Sequence, residues 1–136
     1  MENLRLIGSR GYPIEDADLQ GKIEKQIARC YYPEGFGRQL LAIMATGSLV
    51  GLTRSIAVPT HVIHGAVDPL VPVEAGIDLA KKIPGATLKI FEGMGHDLPP
   101  ALIPLLVQEV AQHLQRAESQ MADKSGVQAK GSCSFT

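Results

Sequence analysis

The stretch Val58-Pro59-Thr60-His61-Val62-Ile63-His64-Gly65-Ala66-Val67-Asp68-Pro69-Leu70-Val71-Pro72 decides how this chain is read. Its first half is short, apolar and β-rich and stops at a glycine, which is the pattern of a strand. Its second half, from Ala66 to Pro72, is a loop built around an Asp-Pro pair. Beyond it, Val73, Ile77, Ala80 and Ile83 recur at helical spacing and stop before Pro84, so a helix is expected there. Thr87-Leu88-Lys89-Ile90-Phe91-Glu92 reads as a second strand, with Lys89 and Glu92 off its apolar face. Gly93 to Pro100 is a loop, and Ile103, Leu106, Val107, Val110 and Leu114 place a last helix over about 101–116. Strand, helix, strand, helix with a crossover of this length implies parallel strands joined by a right-handed connection. The fold class expected is therefore α/β.

Upstream of that unit the chain reads as helical. Gly8, Gly11 and Pro13 make residues 1–13 a loop. Leu19, Ile23 and Ile27 form a stripe on a helix over about 15–30, with acids in its first turn and bases later, in the order that complements the helix dipole. Tyr31-Tyr32-Pro33-Glu34-Gly35 breaks it. A second helix follows over about 36–46, with Phe36, Leu40, Ile43 and Met44 on one face and Gly47 to end it. A short helical turn is expected within 48–57. Residues 118–136, rich in Ser, Gly, Lys and Gln, read as a disordered tail.

Composition narrows the partners. The 136 residues are 45% hydrophobic and 20% charged, with a formal net charge of −1. Nothing there attracts nucleic acid or an anionic membrane. Trp is absent and other aromatics are few, which leaves no base-stacking platform. No run of about 18 apolar residues exists to span a membrane, and the N-terminus lacks the basic and apolar regions of a signal peptide. Cys30 and Cys133 form neither a disulfide framework nor a metal-site spacing, so reduced thiols and a cytoplasmic location are expected. No metal or organic cofactor is implied.

Two residues carry chemistry. Asp68 and His96 each lie in a loop just past the C-terminal end of a strand, where reacting groups gather in open α/β sheets. If the two strands are neighbours, both side chains emerge on one rim. A carboxylate beside an imidazole fixes the tautomer and stabilises the imidazolium. The second ring nitrogen is then free to take a proton from a nucleophile and return it to a leaving group.

The 58–72 stretch, together with Gly93-Met94-Gly95-His96, resembles the acid-bearing and histidine-bearing loops of α/β-hydrolases, whose chain order is nucleophile, acid, histidine. The histidine follows the acid by 28 residues, with one helix and one strand between, as in that family. The resemblance is to esterase-like members of the aclacinomycin methylesterase type. It implies a partial α/β-hydrolase fold: a helical cap-like segment (1–55), a C-terminal hydrolase segment (56–117) and a tail (118–136). It also implies that Asp68 is the triad acid, that His96 is the triad base, and that the full-length relative acts on a small ester-like molecule.

The family's nucleophile elbow, G-x-S-x-G, is missing. Ser48 is flanked at the required positions by Thr46 and Val50, and Ser9 has Gly11 after it but Ile7 before it. No oxyanion loop is evident either, so the chain alone is expected to be inactive. Two parallel strands also make an incomplete sheet. The first strand is expected to need a partner on its far edge, from upstream chain, a second copy or another protein. Three functional readings stay open. One is a fragment or truncated product of an ester hydrolase. A second is a non-catalytic interaction module that pairs through that strand edge. The third is a fragment of a haloalkane dehalogenase, epoxide hydrolase or cofactor-free haloperoxidase, which have similar C-terminal ends.

Other residues have plainer readings. Asp-Pro is a common turn pair, and a histidine in a glycine-rich turn is commonly just solvated. His61 and His64, three apart in a strand, face opposite sides and do not chelate. His113 belongs to the polar side of the last helix. Asp97 reads as a turn residue, Cys30 as core packing, and Tyr31, Tyr32 and Phe36 as core or as the lining of an acyl pocket.

Overall fold

The computed structural model describes residues 2–130. The helices are α1 (Glu2–Ile7), α2 (Asp16–Arg29), α3 (Glu34–Thr46), α4 (Val50–Arg54), α5 (Val73–Lys82) and α6 (Ile103–Lys130). The strands are β1 (His61–Gly65) and β2 (Thr87–Phe91), and a single 3-10 turn, Pro100–Leu102, precedes α6. The chain divides into two units, residues 1–100 and 101–136. The first combines helices with a two-stranded parallel sheet, compatible with a partial α/β architecture.

β1 begins after Pro59, which has no N–H to give to a ladder. Thr60 supplies the first rung, accepting from Thr87 N–H at 3.0 Å. The register pairs His61 with Thr87 and runs to Gly65 with Phe91, so both strands end level. The ladder continues past the last pair, with Ala66 N–H donating to Phe91 O at 3.0 Å and Val67 N–H to Met94 O at 3.1 Å. The loops after β1 and β2 are thereby fastened side by side. Among the described residues β1 pairs on one edge only.

α5 covers the sheet and touches both strands. Its expected stripe is the inward one: Ile83 is buried and Val73, Ile77 and Ala80 are partly so. Gly76 faces His64 of β1 so closely that a Cβ would lie 2.6 Å from the imidazole Cδ2. Val62 and Phe91 are buried from the strands, and Leu19 from α2.

The structure adds to the sequence reading and departs from it in several places. Residues 2–7 are helical where a loop is expected; Leu4, Arg5 and Leu6 are good helix formers, and Gly8 stops them. The last helix does not end near 116 but runs to Lys130 through Ala117, Glu118, Gln120, Met121 and Ala122, whose propensities outweigh the polar character that suggests a tail. The apolar face of α3 is uncovered: Phe36, Leu40, Ile43 and Met44 are all exposed. Tyr31 and Tyr32 are exposed too, so with Phe36 they form neither core nor an enclosed pocket. Cys30, at the end of α2, is likewise exposed, against the expectation of core packing. Cys133 and the last part of the expected tail, 131–136, lie outside the described residues. No helix among those residues is long and apolar enough to cross a membrane.

Gly65 and Gly21 make opposite predictions. A Cβ on Gly65 would lie 2.3 Å from the backbone oxygen of Met94, so Gly65→Ala is expected to cost about 1–3 kcal/mol by overpacking. Gly21, inside α2, has nothing within 4 Å of such an atom. Gly21→Ala should gain about 0.5–1 kcal/mol from helix propensity. Urea unfolding of the two variants beside the wild type reads both signs.

Candidate functional site

The level strand ends bring Asp68 and His96 together. His96 Nδ1 lies 2.7 Å from Asp68 Oδ2. The Asp68 side chain keeps only 7% of its exposure, while that of His96 keeps 42%. An ionised carboxylate can only accept, so Nδ1 carries the proton and Nε2 is the nitrogen left for proton transfer. The other carboxylate oxygen, Oδ1, accepts from the N–H groups of Leu70 and Val71, each at 2.9 Å. Pro69 has no N–H to compete, and the loop wraps around the carboxylate. The turn role of Asp68 and its contact with His96 thus use different oxygens of one group.

This environment sets the acidity of Asp68. Burial alone would raise its pKa. The Val71 N–H, the His96 imidazole and the Leu70 N–H outweigh that, and the carboxyl sits below the ordinary 3.8.

The histidine loop is held from a distant part of the chain. His96 N–H donates to Ile7 O at 2.7 Å, and Gly11 N–H to Gly93 O at 2.9 Å. Ser9, only 5% exposed, lies between these bonds. Its hydroxyl accepts from Gly95 N–H at 2.9 Å and donates to Asp97 Oδ1 at 2.5 Å, and its own N–H donates to the same oxygen at 2.8 Å. Leaving one such buried donor unpaired costs about 1–3 kcal/mol. Glycines make the approach possible. A Cβ on Gly95 would lie 2.5 Å from Gly8 O, and one on Gly93, whose φ is +73°, would lie 2.7 Å from Gly11 Cα.

Ser9 and Asp97 are therefore part of the support for His96, a role the sequence does not suggest for either. Asp97 reads as a turn residue, and Ser9 enters the sequence only as a failed nucleophile match. In the structure the Ser9 hydroxyl is buried and its proton is committed to Asp97, which removes it as an attacking group. Their 88-residue separation has no local signal.

A cleft of about 390 Å³ opens beside the pair, lined by Ile63, His64, Val71, Met94 and Leu98 together with Asp68, Asp97 and His96. None of the described residues lining it is Ser, Thr, Cys or Lys. His64 is partly buried, with Nδ1 3.0 Å from Gly65 O. His61 turns to the other side, where its Nδ1 meets Thr87 Oγ1 at 2.7 Å. Ser48 is exposed and contacts Val50 N–H, outside the cleft. His113 is half-buried on α6. Among the described residues no group of three or more His, Cys, Asp or Glu could hold a metal ion. The arrangement can orient and charge-stabilise a general base.

Geometry and fold define a mixed α/β unit with an acid–histidine pair on the rim of a parallel sheet. No family model matches the chain. Over 87 residues it is 33% identical to a 2-hydroxy-6-oxononadienedioate/2-hydroxy-6-oxononatrienedioate hydrolase of Cupriavidus pinatubonensis, a match that covers 61% of this chain and 29% of that enzyme. The chain thus has a distant hydrolase relative and spans under a third of its length.

The depressed acidity of Asp68 fixes a pH prediction. Between its unfolded and folded values the unfolded chain binds a proton that the folded chain does not, so stability rises with pH there. Asp68's contribution is whole above the ordinary 3.8 and is lost as pH falls through the lower folded value. The stability difference between wild type and Asp68→Asn should be positive near neutrality and should shrink on acidification below 3.8. Denaturant melts across that range measure it.

Proposed function

We propose that this chain supplies the acid and histidine of a Ser–His–Asp triad, as the C-terminal part of an α/β-hydrolase of the carboxylic-ester type. Asp68 orients His96 and stabilises its charged form, and His96 moves the proton between nucleophile and leaving group. The nucleophile and oxyanion donors come from chain outside this sequence, and alone the chain is inactive. The observation that carries the reading is the 2.7 Å contact between His96 Nδ1 and a nearly buried Asp68 carboxylate at level strand ends. Similarity to a hydrolase supports it. On this reading residues 1–55 are a cap-like segment, 56–117 the hydrolase segment, and the protein acts in the cytoplasm without a cofactor.

On this reading the part of the cleft that this chain supplies suits a neutral ester better than a doubly charged substrate such as the dienedioate in the relative's name. Its described lining has no Lys or Arg and carries the two carboxylates Asp68 and Asp97. A dianion there would meet the like charge of Asp68 and Asp97, with a protonated His96 in the described lining to offset it.

The test is to extend the chain with the coding sequence immediately upstream and assay p-nitrophenyl esters. The extension should contain a G-x-S-x-G elbow and confer turnover. His96→Ala and Asp68→Ala should each lower kcat by about 10⁴-fold or more, whereas the 136-residue chain and its His96→Ala variant show equal background. An upstream sequence without the elbow, or an active extended enzyme indifferent to His96→Ala, contradicts the proposal.

A further inference from the structure

We propose that Ser9 is a positioning residue for His96: its buried hydroxyl and backbone N–H, bound to Gly95 and Asp97 on either side of the histidine, lock the loop so that Nδ1 can point only at Asp68. The inference rests on the proposed acid–histidine pairing and adds a component that sequence motifs do not contain.

The geometry is specific. His96 is bracketed by its neighbours, with Gly95 N–H donating to Ser9 Oγ and Asp97 Oδ1 accepting from both Ser9 N–H and Ser9 Oγ. Its own N–H is taken by Ile7 O at 2.7 Å. Three consecutive residues of the histidine loop are thus each tied to residues 7–9. Ser9 alone makes three of these bonds, and a hydroxyl is needed for two of them because it must accept on one side and donate on the other. Glycine at 95 lets the two backbones approach to a distance that a side chain would block, since a Cβ there would lie 2.5 Å from Gly8 O and 2.6 Å from Ile7 O.

Across the loop, Val67 N–H donates to Met94 O, so the Asp68 loop is fastened to the same short segment. The histidine loop is held from two sides, by the acid loop and by residues 7–11. The carboxylate of Asp68 is immobilised by Leu70 and Val71. With His96 42% exposed in its side chain, packing alone does not fix the ring. Its backbone must be fixed instead, and the Ser9 bonds do that. Freed of them, the ring would sample orientations in which either nitrogen faces water, and both neutral tautomers would be populated.

The tautomer of His96 is the test, because a serine that served stability alone would not move it. In the ¹⁵N-labelled 136-residue chain, long-range ¹H–¹⁵N spectra with the imidazole neutral should show His96 as the Nδ1–H form. Ser9→Ala should move the ring nitrogens toward the average of both tautomers and speed amide exchange at Gly95 and His96 by about tenfold or more, while β2 amides stay protected. Asp97→Asn keeps an acceptor oxygen for Ser9 and should retain the wild-type pattern. Asp97→Ala removes that acceptor but leaves the Gly95–Ser9 bond. It should shift the tautomer as Ser9→Ala does, so the inference stands or falls even where Ser9→Ala loses the fold. Asp68→Asn separates the two ideas. If it abolishes the Nδ1–H preference while Ser9→Ala and Asp97→Ala leave it intact, the clamp is wrong and the pair stands. If Asp68→Asn leaves the ring unchanged, the pair itself is wrong and the clamp falls with it.

Discussion

The parallel pairing of His64-Gly65 with Ile90-Phe91 is the constraint on which the rest depends. In a parallel ladder both strands leave the sheet at the same end, and this register makes them leave it at the same level. The loops that follow are then neighbours whatever their sequences. Gly65 lets them close without collision, and Met94 O, bonded to Val67 N–H, holds them together. An acid three residues past one strand and a histidine five past the other meet without either loop being long.

The carboxylate of Asp68 resolves a competition between burial and charge. Taken from water, it would favour its neutral form, which would make it a poor partner for an imidazolium. Two backbone donors on Oδ1 and the imidazole on Oδ2 reverse that preference and keep it ionised at neutral pH. An amide of the same shape would lack the charge. A longer acid would have to give up the turn around Leu70 and Val71 to reach His96.

What could be read from the sequence follows from what is local. The two strands, α5 and the positions of Asp68 and His96 are carried by short patterns, β-branched runs ending in glycine and a stripe ending before proline, and the structure has them within a few residues. The support for His96 is not local. Ser9 matches no motif, Asp97 has the composition of any turn, and the two stand 88 positions apart in the chain. Amphipathic spacing located α3 but could not say that Phe36, Ile43 and Met44 have no cover, because periodicity reports a face and not its partner. Tyr31, Tyr32 and Cys30 mislead for the same reason: their usual burial is an average over folds, and here they lie where a helix ends in the open. Helix α6 outruns its apolar stripe because propensity extends it, a weaker signal than the change of composition that suggests a tail.

The claim that most needs testing is that Asp68 and His96 interact through a charged hydrogen bond. A double-mutant cycle of Asp68→Ala and His96→Ala, read by denaturant unfolding at neutral pH, isolates that bond from everything else each residue does. The partly exposed imidazole sets the expected coupling at about 0.5–1 kcal/mol, vanishing once Asp68 is protonated. Additivity of the two single variants at neutral pH, within about 0.3 kcal/mol, would contradict the account.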